Sequence, residues 1–371
     1  MNPRVLVVGL SDTIGGVERV VLSVISRSDS TQFDFLCYGE DYPYEKDLPD
    51  SRFYYLPKRR KHFFRSQKKL KEFFITHGND YDCIWVNTSS ASNVSVHRMA
   101  KRYSDATVIT HSHSSRIEHD NPFLKKAHEI LHLINRRSLV KNTDVLIACS
   151  RMAAKHLYGK AYQRAIIIYN GISTEKFIFD EKVRTTKRES LGISPDAVVT
   201  LVCGRLVEAK NVEYALRVFK AYRERTGDGN SWILIVGDGP ERDNLKRFID
   251  MNNIENVVFT GFQNDVKPYL DASDVVLQPS LFEGFPVSTV EAQTNGLRCI
   301  LSDRITKEVD LTDLVTFHGI NDTDIPLWVD DMVKSTETVN RVDYRGVIEE
   351  CGLDIGSVAS KMEEIFKNRG T

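Results

Sequence analysis

Short apolar runs alternate with helical patterns through both halves of the chain, and this alternation restricts the fold more than any other feature of the sequence. Strands that alternate with helices form parallel sheets, because each helix carries the chain back to the edge from which the next strand starts. The strands predicted in the first half are Val5–Gly9, Phe33–Tyr38, Phe53–Leu56, Cys83–Asn87, Thr107–Thr110, Val145–Cys149 and Ile166–Tyr169. Those predicted in the second half are Val198–Cys203, Trp232–Val236, Val257–Thr260, Val275–Gln278, Cys299–Ser302 and Val315–Phe317. The sequence therefore predicts two α/β domains.

The two strand series meet at a turn signal. Asn170-Gly171-Ile172-Ser173 follows a predicted strand and precedes a charged, poorly patterned stretch, so we place the domain boundary there. The first predicted domain spans residues 1–172 and the second spans residues 173–350. Residues 351–371 contain an apolar helical pattern, Val358–Phe366, which we expect to pack back on the first domain as a C-terminal helix.

Composition narrows the class of protein. The six cysteines are scattered without a CxxC pair, which favours reduced, buried thiols in a cytosolic protein over disulfides or a metal site. The first ten residues enter a strand pattern directly, without the layout of a signal peptide. No apolar run approaches the roughly 20 residues of a membrane span. We therefore expect a cytoplasmic protein that is either soluble or peripheral on the inner face of the cell membrane.

Charge is distributed unevenly between the two halves. Residues 1–179 contain 27 Lys and Arg against 18 Asp and Glu, whereas residues 180–371 contain 23 against 33. A basic first half indicates an anionic partner, for which nucleic acid and anionic lipid are both candidates. The segment Lys58–Phe74 interleaves eight Lys or Arg with four phenylalanines, which suits an anionic membrane surface. The alternative is an ordinary helix with its Phe stripe in the core, and no nucleic-acid recognition motif accompanies the segment.

Two carboxylates eight positions apart, Glu283 and Glu291, form the most informative motif of the second half. They flank a turn and the start of a helical pattern that follow a buried strand, at the sheet edge where open α/β folds bind ligands. Pro286 suits the first helical position, which leaves the amides of Val287 and Ser288 free to bind a diphosphate. The two glutamates would then hold hydroxyl groups on either side of the phosphates. The alternative is a surface loop with solvated carboxylates.

The loop at residues 204–211 follows another predicted strand. Gly204 at the strand end allows the backbone to approach a ligand closely. Arg205 offers a planar fork for phosphate oxygens, and Lys210 offers a second positive charge. The alternative is a solvated loop whose charges pair with neighbouring glutamates.

Two more strand ends carry candidate binding residues. Gly237 and Gly239 form a Gly-x-Gly turn without the third glycine of a dinucleotide fingerprint, which suits a wall of a nucleotide cleft. Phe262 follows the next strand and would lie near a base. The alternatives are simple turn glycines and a core aromatic residue.

The first half carries two loops of the same kind. Gly15 and Gly16 form a low-profile loop that would face a cleft and contact a diphosphate or an acceptor. His111 and His113, in a polar cluster after a strand, would line that cleft and bind a sugar hydroxyl or assist proton transfer. Their spacing, without a carboxylate or Cys at ligand distance, does not indicate a metal site. The alternatives are an ordinary loop and structural histidines.

Together these motifs resemble the retaining, nucleotide-sugar-dependent glycosyltransferases, and most closely the bacterial capsule and exopolysaccharide enzymes of the family that contains phosphatidylinositol mannosyltransferases. The resemblance covers nearly the whole chain, and its most specific part is the E-x7-E motif from Glu283 to Glu291 beside the Gly-Arg-Leu-x-x-x-Lys-Asn loop. The other matched segments are Gly15-Gly16, residues 110–115, Tyr169-Asn170-Gly171-Ile172, residues 236–240 and Gly261-Phe262. The resemblance implies the GT-B architecture, in which two Rossmann-like β/α/β domains face a central cleft. The first would bind the acceptor and the second the nucleotide sugar.

The resemblance also implies roles for the matched residues. Arg205 and Lys210 would stabilise the leaving diphosphate, Glu283 would contact the transferred hexose, and Glu291 would hold the ribose. The implied catalytic residues are Arg205, Lys210, Glu283, His111 and His113. The implied nucleotide-sugar-binding residues are Gly15, Gly16, Gly204, Gly237, Gly239, Phe262, Phe285, Val287, Ser288 and Glu291. One departure is Pro286, where many relatives have glycine, because proline removes a backbone donor.

The reaction implied by the resemblance is transfer of a hexose, with retention, from a UDP-sugar to a glycan acceptor. The expected acceptor is a lipid-linked oligosaccharide of capsule or exopolysaccharide synthesis, with an anionic membrane surface contacted by Lys58–Phe74 and no nucleic acid. The nucleotide sugar is a substrate, so no cofactor and no metal are expected. Three alternatives stay open: a soluble transferase with a small acceptor, a non-catalytic nucleotide-sugar-binding module, and a sugar epimerase on the same architecture.

Overall fold

The computed structural model of the protein describes residues 2–59, 61–117, 121–337 and 341–368. It divides into two compact units. Unit 1 comprises Met1–Gly171 and Gly352–Thr371, and unit 2 comprises Ile172–Cys351.

Unit 1 is a parallel α/β sheet with helices on both faces. Its strands are β1 (Arg4–Val8), β2 (Gln32–Tyr38), β3 (Phe53–Leu56), β4 (Cys83–Asn87), β5 (Thr107–Ser112), β6 (Val145–Ala148) and β7 (Ile166–Ile167). They are ordered β3-β2-β1-β4-β5-β6-β7. Its helices are α1 (Gly16–Ser26), α2 (Phe63–His77), α3 (Ser95–Tyr103), α4 (Pro122–Lys141), α5 (Arg151–Tyr158) and, from the end of the chain, α13 (Ile355–Lys367).

The two faces of this sheet bury different helices, because successive strand residues point to opposite sides. One face packs Val5, Val7 and Trp85 against α1 and α13, and α13 contributes Val358 and Phe366 to that core. The other face packs against α2 and α3. Unit 1 therefore includes the last helix of the chain in its core.

Unit 2 repeats the architecture with a parallel sheet ordered β10-β9-β8-β11-β12-β13. Its strands are β8 (Val199–Cys203), β9 (Trp232–Val236), β10 (Val257–Gly261), β11 (Val275–Gln278), β12 (Arg298–Ser302) and β13 (Val315–His318). Its helices are α6 (Glu181–Ser190), α7 (Val212–Thr226), α8 (Arg242–Asn252), α9 (Lys267–Ala272), α10 (Val287–Thr294), α11 (Ile325–Glu337) and α12 (Arg345–Glu350). The strand order reverses between β8 and β11, which is the topological switch point where α/β sheets bind ligands.

A buried ion cluster joins α6 to the sheet of unit 2. Asp274 accepts hydrogen bonds from Arg184 at 2.6 Å, from Arg188 at 2.8 Å and from the Val199 amide at 2.7 Å. Arg188 also donates to the backbone carbonyls of Ala272, Pro195 and Ala197. Because every charge has a partner, the desolvation of these buried groups is offset.

The predicted fold class is confirmed, and each predicted strand is present with ends shifted by at most two residues. Two local predictions differ from the structure. β5 continues through His111 and Ser112, because these residues pair with Ile147 and Ala148 of β6. Pro286 caps α10 from the preceding position and is not its first helical residue, since its ψ of 100° is extended. Within the basic segment Lys58–Phe74, helix α2 begins at Phe63, and Arg60 lies outside the described residues.

Candidate functional site

The donor-site residues predicted in unit 2 gather around the carboxyl ends of β8 and β11. Two hydrogen bonds join the loops that follow these strands: the Leu281 amide donates to the Ala209 carbonyl at 2.8 Å, and Asn211 Nδ2 donates to the Pro279 carbonyl at 3.2 Å. Asn211 has a φ of 51°, in the left-handed region that Asn tolerates better than most residues. The loop that carries Arg205 and Lys210 is thus held against the loop that carries Glu283.

Two positions of this edge require glycine, because neighbouring backbone segments lie too close for a side chain. Gly237 has a φ of +144°, and a side-chain carbon there would lie 1.9 Å from the Gly204 carbonyl oxygen. A side-chain carbon on Gly239 would lie 2.2 Å from the Leu206 carbonyl oxygen. The Gly237 amide donates to the Gly261 carbonyl at 3.0 Å, which draws the end of β10 to the same place. Because these residues are glycines, no side chains cover the backbone at the strand ends beside Lys210, and a ligand can approach this backbone closely.

The Glu283 carboxylate is held by several side chains of the edge. Its Oε1 lies 2.5 Å from Lys210 Nζ and accepts hydrogen bonds from Ser280 Oγ at 2.9 Å and Gln278 Nε2 at 3.1 Å. Gln278 is oriented in turn by Thr289, whose hydroxyl donates to its carbonyl oxygen. The side chains of Lys210 and Glu283 are 22 % and 15 % exposed, so the pair is screened from bulk water more than a surface ion pair is.

Sequence reasoning missed Gln278, Ser280 and Thr289, the residues that position Glu283. The signal was weak but present, because Gln278 is a polar residue at the end of an otherwise apolar strand. Its side chain is buried, and a buried amide needs hydrogen-bonding partners.

The N-terminus of α10 lies in the same segment. Val287 and Ser288 are its first two residues. Because the backbone N–H groups of the first helical turn have no carbonyl acceptor within the helix, those of Val287 and Ser288 can bind an anion. Glu291, one turn further on and half-buried, lines a small cavity together with Ser288, Gln278 and Cys203. A second small cavity is lined by residues that include Lys210 and Gly204. An anion site and two carboxylates thus occupy one edge.

Three other predicted residues differ in exposure. Arg205 and Phe262 are exposed, Phe262 by 56 %, at the loops after β8 and β10. Phe285 is buried, so its side chain packs in unit 2 while its backbone remains in the loop before α10. Arg205 and Phe262 are therefore accessible to a ligand through their side chains.

The predicted residues of unit 1 lie at the carboxyl edge of its own sheet. Gly15 and Gly16 are exposed at the start of α1, and Glu18 holds their loop by accepting from the Ser11 amide at 2.8 Å and the Gly15 amide at 3.0 Å. A side-chain carbon on Gly16 would meet no atom within 4 Å. The loop therefore leaves open space around Gly16.

His111 and His113 are buried and uncharged. Their ring centroids lie 4.1 Å apart, and His113 Nε2 donates to Asn87 Oδ1 at 2.8 Å. Burial lowers the pKa of His113 to about 3, and burial with repulsion from His113 lowers the pKa of His111 well below its usual range. Both imidazoles are therefore neutral at physiological pH, which suits hydrogen bonding and not the donation of a proton from imidazolium.

The structure also bears on metals, disulfides and membrane spans. Within the described ranges, no three His, Cys, Asp or Glu side chains gather as a potential metal site. No disulfide joins the six cysteines, all of which are described. None of the helices in the described parts of the chain combines the length and hydrophobicity needed to cross a membrane.

Two parallel α/β sheets, the second with a polar edge at its topological switch point, define a class of α/β protein that binds ligands at strand ends, and comparison with known proteins identifies the family. The profile described as glycosyl transferases group 1 matches residues 183–311, and the profile described as glycosyltransferase family 4 matches residues 14–176. The chain is 30% identical over 308 residues to UDP-Gal:alpha-D-GlcNAc-diphosphoundecaprenol alpha-1,3-galactosyltransferase of Escherichia coli, covering 80% of this chain and 78% of that protein. The chain belongs to the family 4, or group 1, glycosyltransferases, a retaining family with the GT-B fold.

Two further proteins are similar to this chain, one in sequence and one in fold. The putative glycosyltransferase EpsF of Bacillus subtilis is 26% identical over 336 residues, which covers 86% of this chain and 84% of EpsF. The crystal structure of Anabaena HepE in complex with UDP-glucose superposes with a TM-score of 0.75 at 18% identity, covering 99% of this chain and 100% of HepE. The predicted family, fold and enzyme class are confirmed: the protein is a glycosyltransferase that uses a nucleotide sugar.

Proposed function

We propose that this protein transfers a hexose from a UDP-sugar to a lipid-linked glycan, with retention, so that an α-linked donor yields an α-glycoside. The observation that carries the proposal is the Lys210–Glu283 pair, held at 2.5 Å beside the bare backbone of Gly204 and near the free amides of α10. Cationic and anionic groups side by side fit a ligand with a negative diphosphate and a neutral, hydroxyl-rich sugar.

In this proposal unit 2 is the nucleotide-sugar-binding domain. Arg205 and Lys210 bind the diphosphate oxygens, and the amides of Val287 and Ser288 bind the same group at the helix N-terminus. Glu291 accepts from the ribose hydroxyls, and Phe262 lies against the base.

Glu283 positions the hexose. Its Oε1 accepts from Lys210, Ser280 and Gln278, which fix the carboxylate at this edge, and Glu283 is assigned to a hydroxyl of the hexose. In this proposal Glu283 orients the donor sugar and is not the general base.

The transfer step follows from these assignments. The bond between the anomeric carbon and the phosphate oxygen breaks as a bond to the acceptor oxygen forms on the same face of the sugar. The acceptor hydroxyl passes its proton to a leaving phosphate oxygen, and the nucleoside diphosphate departs. Arg205 and Lys210 stabilise the charge that develops on that leaving group, where electrostatic stabilisation contributes most to the rate.

Unit 1 is proposed as the acceptor-binding domain. The E. coli relative is named for a diphosphoundecaprenol-linked acceptor, and this supports an isoprenoid-diphosphate-linked sugar as the acceptor here. The segment Lys58–Phe74 supports a membrane location: Leu70, Phe73 and Phe74 fill the core, whereas Phe63 and Phe64 are exposed beside basic residues. We therefore place the enzyme at the inner face of the cell membrane.

The test is turnover by the full chain with a panel of UDP-, GDP- and ADP-hexoses and an isoprenoid-diphosphate-linked GlcNAc acceptor. We expect transfer from one UDP-hexose, and an α-linkage in the product by NMR. Turnover only with small soluble acceptors, or donor isomerisation without an acceptor, would contradict the proposal. Donor binding without turnover under all conditions would favour the non-catalytic alternative.

A further inference from the structure

Helix α4 of unit 1 turns its apolar stripe away from the protein. An amphipathic surface helix normally buries that stripe in the core. Of residues 123–141, only His132 and Leu139 are buried. The exposed large apolar side chains of the helix are Phe123 (84 %), Leu124, Ile130, Leu131, Leu133 and Ile134 (68 %).

Five of these six side chains form a continuous surface, here called the α4 stripe: Phe123, Leu124, Ile130, Leu131 and Ile134. At 100° per residue, the five fall within about a third of the helix circumference, so they lie along one side of it. The helix is attached by its opposite side, where Leu139 is buried and His132 Nδ1 accepts from the Ala91 amide at 3.0 Å. A contiguous exposed apolar surface of this kind marks an interaction site.

The charges around the α4 stripe identify what it fits. The helix contains five Lys or Arg and only one acidic residue, Glu129. Lys126, Arg137 and Lys141 are exposed close to the stripe. Apolar side chains flanked by basic ones match a surface that is anionic outside and apolar beneath, which describes a bilayer containing anionic lipids.

The same charges disfavour pairing of the stripe with a second copy of this chain. A twofold contact through α4 would bring Lys126, Arg137 and Lys141 of one chain toward the same residues of the other. Like charges at an interface are unfavourable, and α4 has too few acidic groups to balance them.

Helix α2 presents exposed groups at the same edge of unit 1. Both α2 and α4 follow strands of a parallel sheet, so both begin at its carboxyl edge. Phe64, near the start of α2, is 87 % exposed, comparable to Phe123 near the start of α4. Helix α3 lies between them, in contact with α2 through the shared core and with α4 through the Arg98–Ser138 hydrogen bond.

We propose that the α4 stripe is a membrane-docking surface that inserts among the acyl chains of an anionic bilayer while Lys126, Arg137 and Lys141 contact lipid phosphates. The docking itself is independent of catalysis and rests on the proposed function only for the lipid-linked acceptor that it would bring within reach.

The experiment is co-sedimentation of the full chain with vesicles of phosphatidylcholine alone and of phosphatidylcholine mixed with phosphatidylglycerol. The test variants are I130Q/I134Q, which removes apolar surface, and K126E/R137E, which reverses charge. The matched controls are M251Q and K246E on α8 of unit 2, where Met251 is 74 % exposed and Lys246 is exposed. All four sets of side chains are on the surface, and thermal melting and UDP-sugar binding check that each variant is folded.

We expect wild type and both controls to bind anionic vesicles, with binding weakened by salt. Reversing two basic residues should reduce binding by about 25-fold or more, since each contributes about fivefold near an anionic surface. I130Q/I134Q should reduce it by at least about tenfold, in low and high salt alike. Equal binding by I130Q/I134Q and wild type would overturn the proposal.

Two other outcomes are decisive. If light scattering shows an oligomer that dissociates in I130Q/I134Q, and no preparation binds vesicles, the stripe is a protein interface and the membrane assignment is wrong. If the protein binds vesicles through α4 but transfers no sugar to a lipid-linked acceptor, the docking surface stands and the proposed acceptor fails.

Discussion

Acidification is expected to destabilise unit 1 through histidines that are buried without charge. His97 of α3 is 2 % exposed, and its Nε2 shares a hydrogen bond with Thr110 Oγ1 at 3.0 Å. Burial lowers the pKa of His97 to about 4, and repulsion from Arg59 adds to the effect. Burial likewise lowers the pKa of His113 to about 3. As the pH falls, both histidines are therefore protonated at a higher pH in the unfolded chain than in the folded protein.

The sign and size follow from proton linkage. The unfolded pKa of histidine, about 6.5, lies above both folded values, so the stability is intact above about pH 6.5 and falls as the pH drops toward the folded pKa. Between about pH 7 and about pH 5, each of the two histidines lowers the free energy of unfolding by about 2 kcal/mol. The sum is a large share of the roughly 5–15 kcal/mol that stabilises a typical protein.

The assay is urea unfolding of wild type and H97Q at both pH values, followed by hydrogen-exchange protection of peptides that span β4 and β5 in unit 1. The H97Q protein should lose about 2 kcal/mol less than wild type on acidification, whatever its stability at neutral pH. H62Q, at an exposed histidine before α2, is the matched control and should behave as wild type. If H97Q and wild type lose the same amount, the assignment of a buried neutral His97 is refuted.

Three further predictions concern unit 2. Asp274→Ala leaves two arginines without their carboxylate in a buried cluster, so it should lower the free energy of unfolding by about 3–5 kcal/mol in denaturant titrations. The control D243A, at an exposed aspartate, should lower it by at most about 1 kcal/mol. A loss below about 1 kcal/mol for Asp274→Ala would contradict the cluster. Gly237→Ala forces a carbon to within 1.9 Å of a carbonyl oxygen and should abolish UDP-sugar binding by calorimetry, whereas G227A, at a glycine with open space, should retain it. Glu283→Gln should reduce kcat/KM by about 10- to 100-fold with UDP affinity little changed, because a charged hydrogen bond to the hexose is lost and the diphosphate contacts are kept; a matched loss of UDP affinity would place Glu283 on the nucleotide instead.

The fold could be predicted because the strands are short runs of Val, Ile and Leu that turn signals interrupt. Such runs identify buried parallel strands, and even the two-residue strand β7 was found in this way. The glycines at strand ends located the unit 2 edge, since a glycine there marks close backbone approach. Local pattern was sufficient where local chemistry determines the structure.

The arrangement of side chains within the site was less predictable. Glu283 is held by donors from β11, from its own loop and from the turn that contains Lys210, and no local spacing reveals that these converge. The histidine cluster was expected in a loop, but ladder hydrogen bonds with β6 extend the strand through His111 and bury it. Tertiary pairing decides both cases.

The orientation of an amphipathic helix is a further limit. A period of 3.6 residues indicates that a helix has an apolar side, but the sequence does not state whether that side meets the core or another surface. In α2 the apolar side is divided: Phe73 and Phe74 are buried, while Phe63 and Phe64 are exposed. The basic segment Lys58–Phe74 therefore contains both a core stripe and exposed aromatic residues.

The central claim is that the edge of unit 2 binds a UDP-sugar through Arg205 and Lys210, and a thermal-shift titration of wild type, R205A and K210A tests it most directly. R247A, at an exposed arginine of α8, is the matched control. At a ligand concentration about a hundred times the dissociation constant, binding should stabilise wild type by about 2.7 kcal/mol. We predict a clear shift for wild type and R247A with one UDP-hexose, and little or none for R205A and K210A. Equal shifts in all four proteins would contradict the donor site, as would the absence of any shift with every nucleotide sugar.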